Sequence, residues 1–215
     1  MTSAINKWVE ALLKVKNSGY RYVDTNNRVC MEIMNLKIKL EDPKNMQLDK
    51  PIDYISENDA WIYPSKTEIT NIMFKEVNSP SYDYTYGGRI FNYSKKIDQI
   101  NNYLIPLLRK DPSSRRAIIN IYDPVKDSNL EKRNAPSIMY LSFRILDNYI
   151  HITASIRSSD MFFGWPANIY QVYSIQKYVA NELNLNIGSL TTISNTAHIF
   201  ESDFECVEDL INENT

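Results

Sequence analysis

The chain has 215 residues, 43% of them hydrophobic and 23% charged, with a net charge of −2. That length and balance suit a single domain, 1–215, whose core needs no staples, and they exclude wholesale disorder and a strongly basic nucleic-acid binder. The two cysteines, Cys30 and Cys206, are far apart and accompanied by two histidines, so neither a disulfide framework nor a zinc site is expected, and no metal is assigned.

Ile5, Trp8, Val9, Leu12 and Leu13 recur at helical spacing and Gly19 follows as a stop, which predicts an amphipathic first helix rather than a signal peptide. Leu36, Ile38 and Leu40 alternate with Lys37 and Lys39, a strand with one wet face. Residues 41–64 hold three prolines and read as an irregular loop. Ser65-Lys-Thr-Glu68 is a capping box that opens a helix reaching about Glu76. Ile97, Ile100, Leu104, Leu107 and Leu108 mark another helix, closed at Asp111-Pro112. Three strands follow, Ala117–Tyr122, Ile138–Leu146 and Tyr149–Ile156, the last two flanking an Asp147-Asn148 hairpin turn. A long helix from about Pro166 to Leu183 and a strand near Leu190–Ser194 complete the pattern. The order is that of an α+β fold with a mostly antiparallel sheet and helices packed on it. No run approaches the ~18 apolar residues of a membrane span, so no membrane partner is expected and the expected location is cytoplasmic.

Five segments carry chemistry. Three of the five glycines fall in Tyr86-Gly87-Gly88-Arg89 and Phe163-Gly164-Trp165-Pro166, read as turns that let backbone approach something closely. Arg115 and Arg116 stand together at a helix-to-strand corner, and a guanidinium fork matches a phosphate dianion. Arg157-Ser158-Ser159-Asp160 places an anion donor, a hydroxyl and a carboxylate within one strand end. Asn168 offers a donor and an acceptor on one amide, the polarity that satisfies O4 and N3–H of uracil. The fifth is His198, which in isolation reads as a structural histidine.

Together these segments resemble the thymidylate synthase family, in that family's order, from Tyr84 to about Phe204. The matching pieces are Tyr86-Gly87 with Arg89, Ile97-Asp-Gln-Ile100, Asp111-Pro-Ser-Ser-Arg-Arg116, Ala135-Pro136-Ser137, Arg157-Ser-Ser-Asp160, Phe163-Gly-Trp-Pro-Ala-Asn168 and His198. The short length is nearest the compact archaeal and viral branch. The resemblance implies a sandwich whose sheet packs against its twin in a homodimer and binds a pyrimidine nucleoside monophosphate. Arg115 and Arg116 would reach across the interface to the phosphate, joined by Arg157, Ser158 and Arg28. Asn168 would read the base, Asp160 would face a methylene-tetrahydrofolate or related methylene-tetrahydropterin, His198 would hold water and sugar, and Tyr86 would line the chamber.

Three departures accompany it. Ser137 stands at the position of the nucleophilic cysteine. A thiol is about 3% ionised at pH 7, whereas a serine hydroxyl needs a strong base beside it. Ser137 is read either as an inactive Cys-to-Ser form or as a native residue with altered chemistry. Phe200 stands where the family has a tyrosine on the sugar. The general-acid/base glutamate has no secure match, Glu57 and Glu68 being the candidates. The expected activity is one-carbon transfer to C5 of a uridine monophosphate such as dUMP. The alternatives are C5 hydroxymethylation, with water closing the same reaction, and a non-catalytic nucleotide-binding paralogue.

Overall fold

A computed structural model describes residues 3–57, 61–75, 84–131 and 134–214. The first helix, α1 (Ala4–Ser18), begins at Ser3, whose hydroxyl accepts the Asn6 N–H while the Asn6 side chain accepts the Ser3 N–H. Ala4, Trp8, Leu12 and Val15 on its inner stripe are buried. Strand β1 (Tyr20–Val23) and strand β2 (Val29–Leu40) form a hairpin. Helices α2 (Lys50–Ser56), α3 (Lys66–Phe74) and α4 (Tyr86–Phe91) precede a π-helical turn, Ile100–Leu104, that runs into α5 (Ile105–Lys110). Then come β3 (Ile118–Asn120), α6 (Pro124–Asp127), β4 (Ile138–Leu146), β5 (Tyr149–Asp160), α7 (Gly164–Leu183), β6 (Asn186–Phe200) and α8 (Phe204–Asn214).

The six strands make one sheet in the order β1-β2-β6-β5-β4-β3. Every pairing is antiparallel except β5 with β6, which α7 connects as a crossover. This is the expected α+β arrangement. The β4–β5 turn is the expected two-residue one, with Asp147 and Asn148 both at positive φ, 48° and 67°, as the twist of a tight hairpin requires. Ile150, Ile152, Ala154 and Ile156 of β5 are buried beneath Trp165, Ile169, Val172 and Ile175 of α7. His151, Thr153 and Arg157 alternate with them and are less buried. At the β5–β6 register shift, the buried Gln176 amide donates to the carbonyls of Ile150, Gly188 and Ser189 at 2.8, 3.0 and 3.3 Å.

Several elements differ from the sequence reading. The proline-rich stretch contains α2, because Pro51 sits in the first turn, where a missing N–H does no harm. Tyr86-Gly87-Gly88-Arg89 is a helix start rather than a free turn. Strand β2 begins seven residues before Leu36 and includes Cys30. Strand β6 spans 15 residues, its serines and threonines buried within the sheet. Glu76, the expected end of α3, lies outside the described residues. Among the described residues no helix is long and apolar enough to cross a membrane.

Candidate functional site

The Ala135-Pro136-Ser137 segment that leads into β4 is gripped by Arg157 near the end of β5. The Arg157 N–H donates to the Ser137 carbonyl at 2.8 Å, its Nε to the Pro136 carbonyl at 3.1 Å and an Nη2 hydrogen to the Ala135 carbonyl at 2.9 Å. Two of the five guanidinium N–H groups thus shape the segment and three remain for another acceptor. From the opposite side comes Tyr86, at the first position of α4. Thr85 caps that helix by accepting the Gly88 N–H at 3.1 Å and ties it to α3 by donating to the Lys75 carbonyl at 3.0 Å. The Tyr86 hydroxyl accepts the Ile138 N–H at 3.5 Å and lies beside Ser137. Burial raises its pKa above the phenol value, so it stays protonated.

The far side of the site is built where β5 and β6 run parallel. Asp160 is opposite His198 in the register, and the His198 carbonyl accepts the Met161 N–H at 2.9 Å. Ser158 Oγ lies 3.5 Å from His198 Nδ1. Burial lowers the imidazole pKa, helped by Arg28, while Glu32, Asp24 and Asp203 oppose the shift. The ring is therefore neutral at pH 7. Asp160 Oδ1 accepts the N–H groups of Phe162 and Phe163, each at 3.0 Å, and fixes the turn into α7. Burial nevertheless raises the Asp160 pKa. An aromatic wall stands on this turn: Trp61 meets Phe163 edge-on at 5.0 Å, and the Tyr63 hydroxyl donates to the Phe163 carbonyl at 2.6 Å.

Arg28, just ahead of β2, is brought to the same end of the sheet. Its Nε and Nη2 engage Asp24 Oδ2 at 2.9 and 2.8 Å, and its guanidinium carbon lies 4.0 Å from the Phe200 ring centre. That ring in turn meets His198 edge-on at 4.9 Å. Asn168 is in the second turn of α7 and is 9% exposed. Its amide donates to Gln171 Oε1 at 3.2 Å, and among the described residues nothing donates to its own carbonyl oxygen.

Arg115 and Arg116 are elsewhere in the same chain. Both are exposed on the turn before β3, where Arg144 ties down the Ser113 and Ser114 carbonyls at 2.5 and 2.9 Å. Ala117 pairs with Phe143 and Arg157 with Ser137, so along β4 the two anchoring points are about 20 Å apart. One chain does not unite the arginine pair with Arg157.

Both carboxylate candidates are on the surface. Glu68 Oε2 accepts the Ser65 N–H at 2.8 Å and the Ser65 hydroxyl at 2.7 Å, which lowers its pKa and makes it an exposed helix cap. Glu57 is an exposed residue at the end of α2. Cys30 is buried on β2 and Cys206 is on α8; neither adjoins Ser137. Sequence reasoning missed the partners of Arg89, a buried cation 2.7 Å from Asp127 and 3.7 Å from Asp123 that anchors α4 beneath Tyr86. Its place in Tyr86-Gly-Gly-Arg89 was the available signal. Among the described residues no group of His, Cys, Asp or Glu could hold a metal ion.

The family model for thymidylate synthase matches residues 47–215. A Methanosarcina barkeri protein named "Putative thymidylate synthase" is 33% identical over 204 residues, covering 95% of this chain and 89% of its own length. A Methanothermobacter thermautotrophicus protein of the same name is 26% identical over 216 residues, covering 95% and 93%. A more distant relative, the deoxyuridylate hydroxymethyltransferase of Bacillus phage SP01, is 27% identical over 173 residues, which is 72% of this chain and 44% of that protein. The match extends well ahead of Tyr84 and takes in the first half of the chain as well, and on this evidence the chain belongs to the thymidylate synthase family.

Proposed function

We propose that the protein transfers a one-carbon unit to C5 of a uridine monophosphate such as dUMP, working as a homodimer. The observation that carries the reading is the convergence of Arg157, Tyr86 and the Ala135–Ser137 segment at one end of the sheet, with His198, Ser158, Asp160 and Arg28 facing the same region. In this reading Arg157, Ser158 and Arg28 hold the phosphate, and the Arg115–Arg116 pair comes from a second copy because its own chain cannot deliver it. Asn168 accepts from N3–H and donates to O4, which favours uracil over cytosine. Tyr86 keeps a protonated hydroxyl beside Ser137, and neutral His198 orients water and the sugar.

Ser137 occupies the position from which C6 of the base is attacked so that C5 becomes nucleophilic. Among the described residues its hydroxyl has no basic neighbour to ionise it, Tyr86 being protonated. A Cys at 137 would be the stronger nucleophile. The one-carbon carrier fits as a methylene-tetrahydrofolate or methylene-tetrahydropterin. Asp160, with Oδ1 engaged by backbone, keeps a second oxygen for a ring amine, and Trp61, Tyr63 and Phe163 supply an aromatic wall. Such a carrier supplies carbon at the oxidation level of formaldehyde. The phage relative favours a second reading, C5 hydroxymethylation, in which water closes the reaction.

The test is calorimetry with dUMP together with release of tritium from C5 for the protein as it stands and for Ser137→Cys. Binding in both forms, with tritium release appearing or rising sharply in Ser137→Cys, supports the enzyme. Binding with no release in either form assigns the chain to a non-catalytic nucleotide-binding role, and absence of binding removes the proposal.

A further inference from the structure

Strand β2 has 12 residues, but β1 pairs only with Val29 to Glu32. Asn35, at φ 57°, kinks the strand just past that point. From Leu36 to Leu40 one edge of β2 is bonded to β6, and among the described residues no strand pairs with the other. Alternate backbone N–H and C=O groups along that edge face outward. Helix α1 runs beside it in the opposite direction. Its first N–H donates to the Met46 carbonyl at 2.8 Å, beyond the end of β2, and Gly19 at its far end abuts the backbone of Glu32. Between them is a groove of about 450 Å³. Four consecutive strand residues, Leu36 to Lys39, line it, as a groove along a strand edge requires. Its other wall is one helical face, Lys7, Glu10, Ala11 and Lys14, at spacing i, i+3, i+4, i+7.

The charges in this groove are unequal. Lys7 pairs with Glu10 at 2.6 Å and Lys39 with Glu41 at 2.7 Å. The Asp42 carboxylate accepts the Asn45 amide at 2.7 Å. Lys14 and Lys37, both exposed, have no carboxylate partner among the described residues. We propose that the free edge of β2 takes up an extended acidic peptide as an added strand. Its backbone bonds to Leu36 to Leu40, and neighbouring carboxylates on its two faces meet Lys14 on the α1 side and Lys37 on the other. A second copy of this chain is a poor occupant, because two such edges would set unpaired lysines against each other.

The experiment uses the full chain and a fluorescein-labelled hexapeptide, Val-Glu-Glu-Val-Glu-Glu, blocked at both ends, read by fluorescence polarisation. Saturable binding is expected. It should weaken about tenfold in the Lys14→Glu, Lys37→Glu double variant, the scale of reversing two exposed pairs, and should be lost when alternate peptide nitrogens of the probe are methylated. No binding, equal binding of a valine-lysine peptide, or indifference to methylation overturns the proposal whatever the variant does. A change of oligomeric state in the double variant, seen by sedimentation, assigns the edge to a second copy and overturns it too.

Discussion

Substitution of Gly87 tests how closely α4 must approach α3 to deliver Tyr86. A Cβ built on Gly87 would lie 2.3 Å from the Lys75 nitrogen, 2.6 Å from the Lys75 oxygen and 2.6 Å from the Phe74 carbonyl carbon. These are backbone atoms that cannot rotate away, and the Lys75 carbonyl is also tied to Thr85. Relieving the overlap means moving one helix against the other by about an ångström, a strain of about 3 kcal/mol. Alanine ordinarily gains about 1 kcal/mol over glycine inside a helix. The net expectation for Gly87→Ala is a loss of about 2 kcal/mol, or a fall in Tm of roughly 4–8 °C for a chain of this size. Gly164→Ala is the control. The nearest neighbour of its new Cβ is Asp160 Cβ at 3.4 Å, an ordinary contact, and stability should hold or rise slightly. Thermal unfolding of both variants measures the difference, and dUMP calorimetry asks whether Gly87→Ala also displaces Tyr86. A Gly87→Ala protein as stable as the parent, or a Gly164→Ala protein equally damaged, would refute the close-approach argument.

Arg157→Ala should weaken dUMP binding at least tenfold by leaving the Ala135 and Pro136 carbonyls without their donors, with Arg157→Lys intermediate; calorimetry reads both, and an unchanged affinity in Arg157→Ala discards the loop-gripping role. Asp160 has a folded-state pKa raised above its ordinary 3.8, so the native state binds its proton more tightly than the unfolded chain. Stability contributed by this group is present below about pH 4 and falls as pH rises through the folded-state value. Asp160→Asn keeps an oxygen for the Phe162 and Phe163 N–H groups, and should flatten that fall and stabilise the protein at neutral pH in denaturant titrations; a loss of stability there would show that the carboxylate charge is required. Asn168→Asp should shift preference from dUMP toward dCMP in competition binding, and an unaltered preference removes the base-reading argument.

The elements legible in the sequence were those whose local chemistry and tertiary role agree. Asp147-Asn148 supplies the positive φ values that the β4–β5 hairpin needs, and Ser65 with Glu68 forms the capping box that its spacing announced. Strand β6 was under-read because its interior is polar: Ser189, Thr191, Thr192 and Ser194 are buried, and Thr192 Oγ1 accepts the Trp165 indole N–H at 3.1 Å, a partner 27 residues away. Helix α2 was hidden by prolines whose effect depends on the turn in which they fall. At the site, the family pattern picked out Arg157, Tyr86, Asp160 and His198, which the fold gathers near the strand ends. It did not show that Arg157 holds the segment before Ser137, or that Asp24 holds Arg28 over Phe200. Those contacts join residues on different elements, and no single-chain periodicity encodes them.

The distance between the Arg115–Arg116 corner and Arg157 has a genetic corollary. If each phosphate is clasped by arginines from two polypeptides, one chain lacking Arg157 and another lacking the corner pair are both defective alone. Mixed, they would assemble some particles in which one cleft inherits every defect and the other none. Tight nucleotide binding would then return, at up to half a cleft per chain, from two components that each bind weakly.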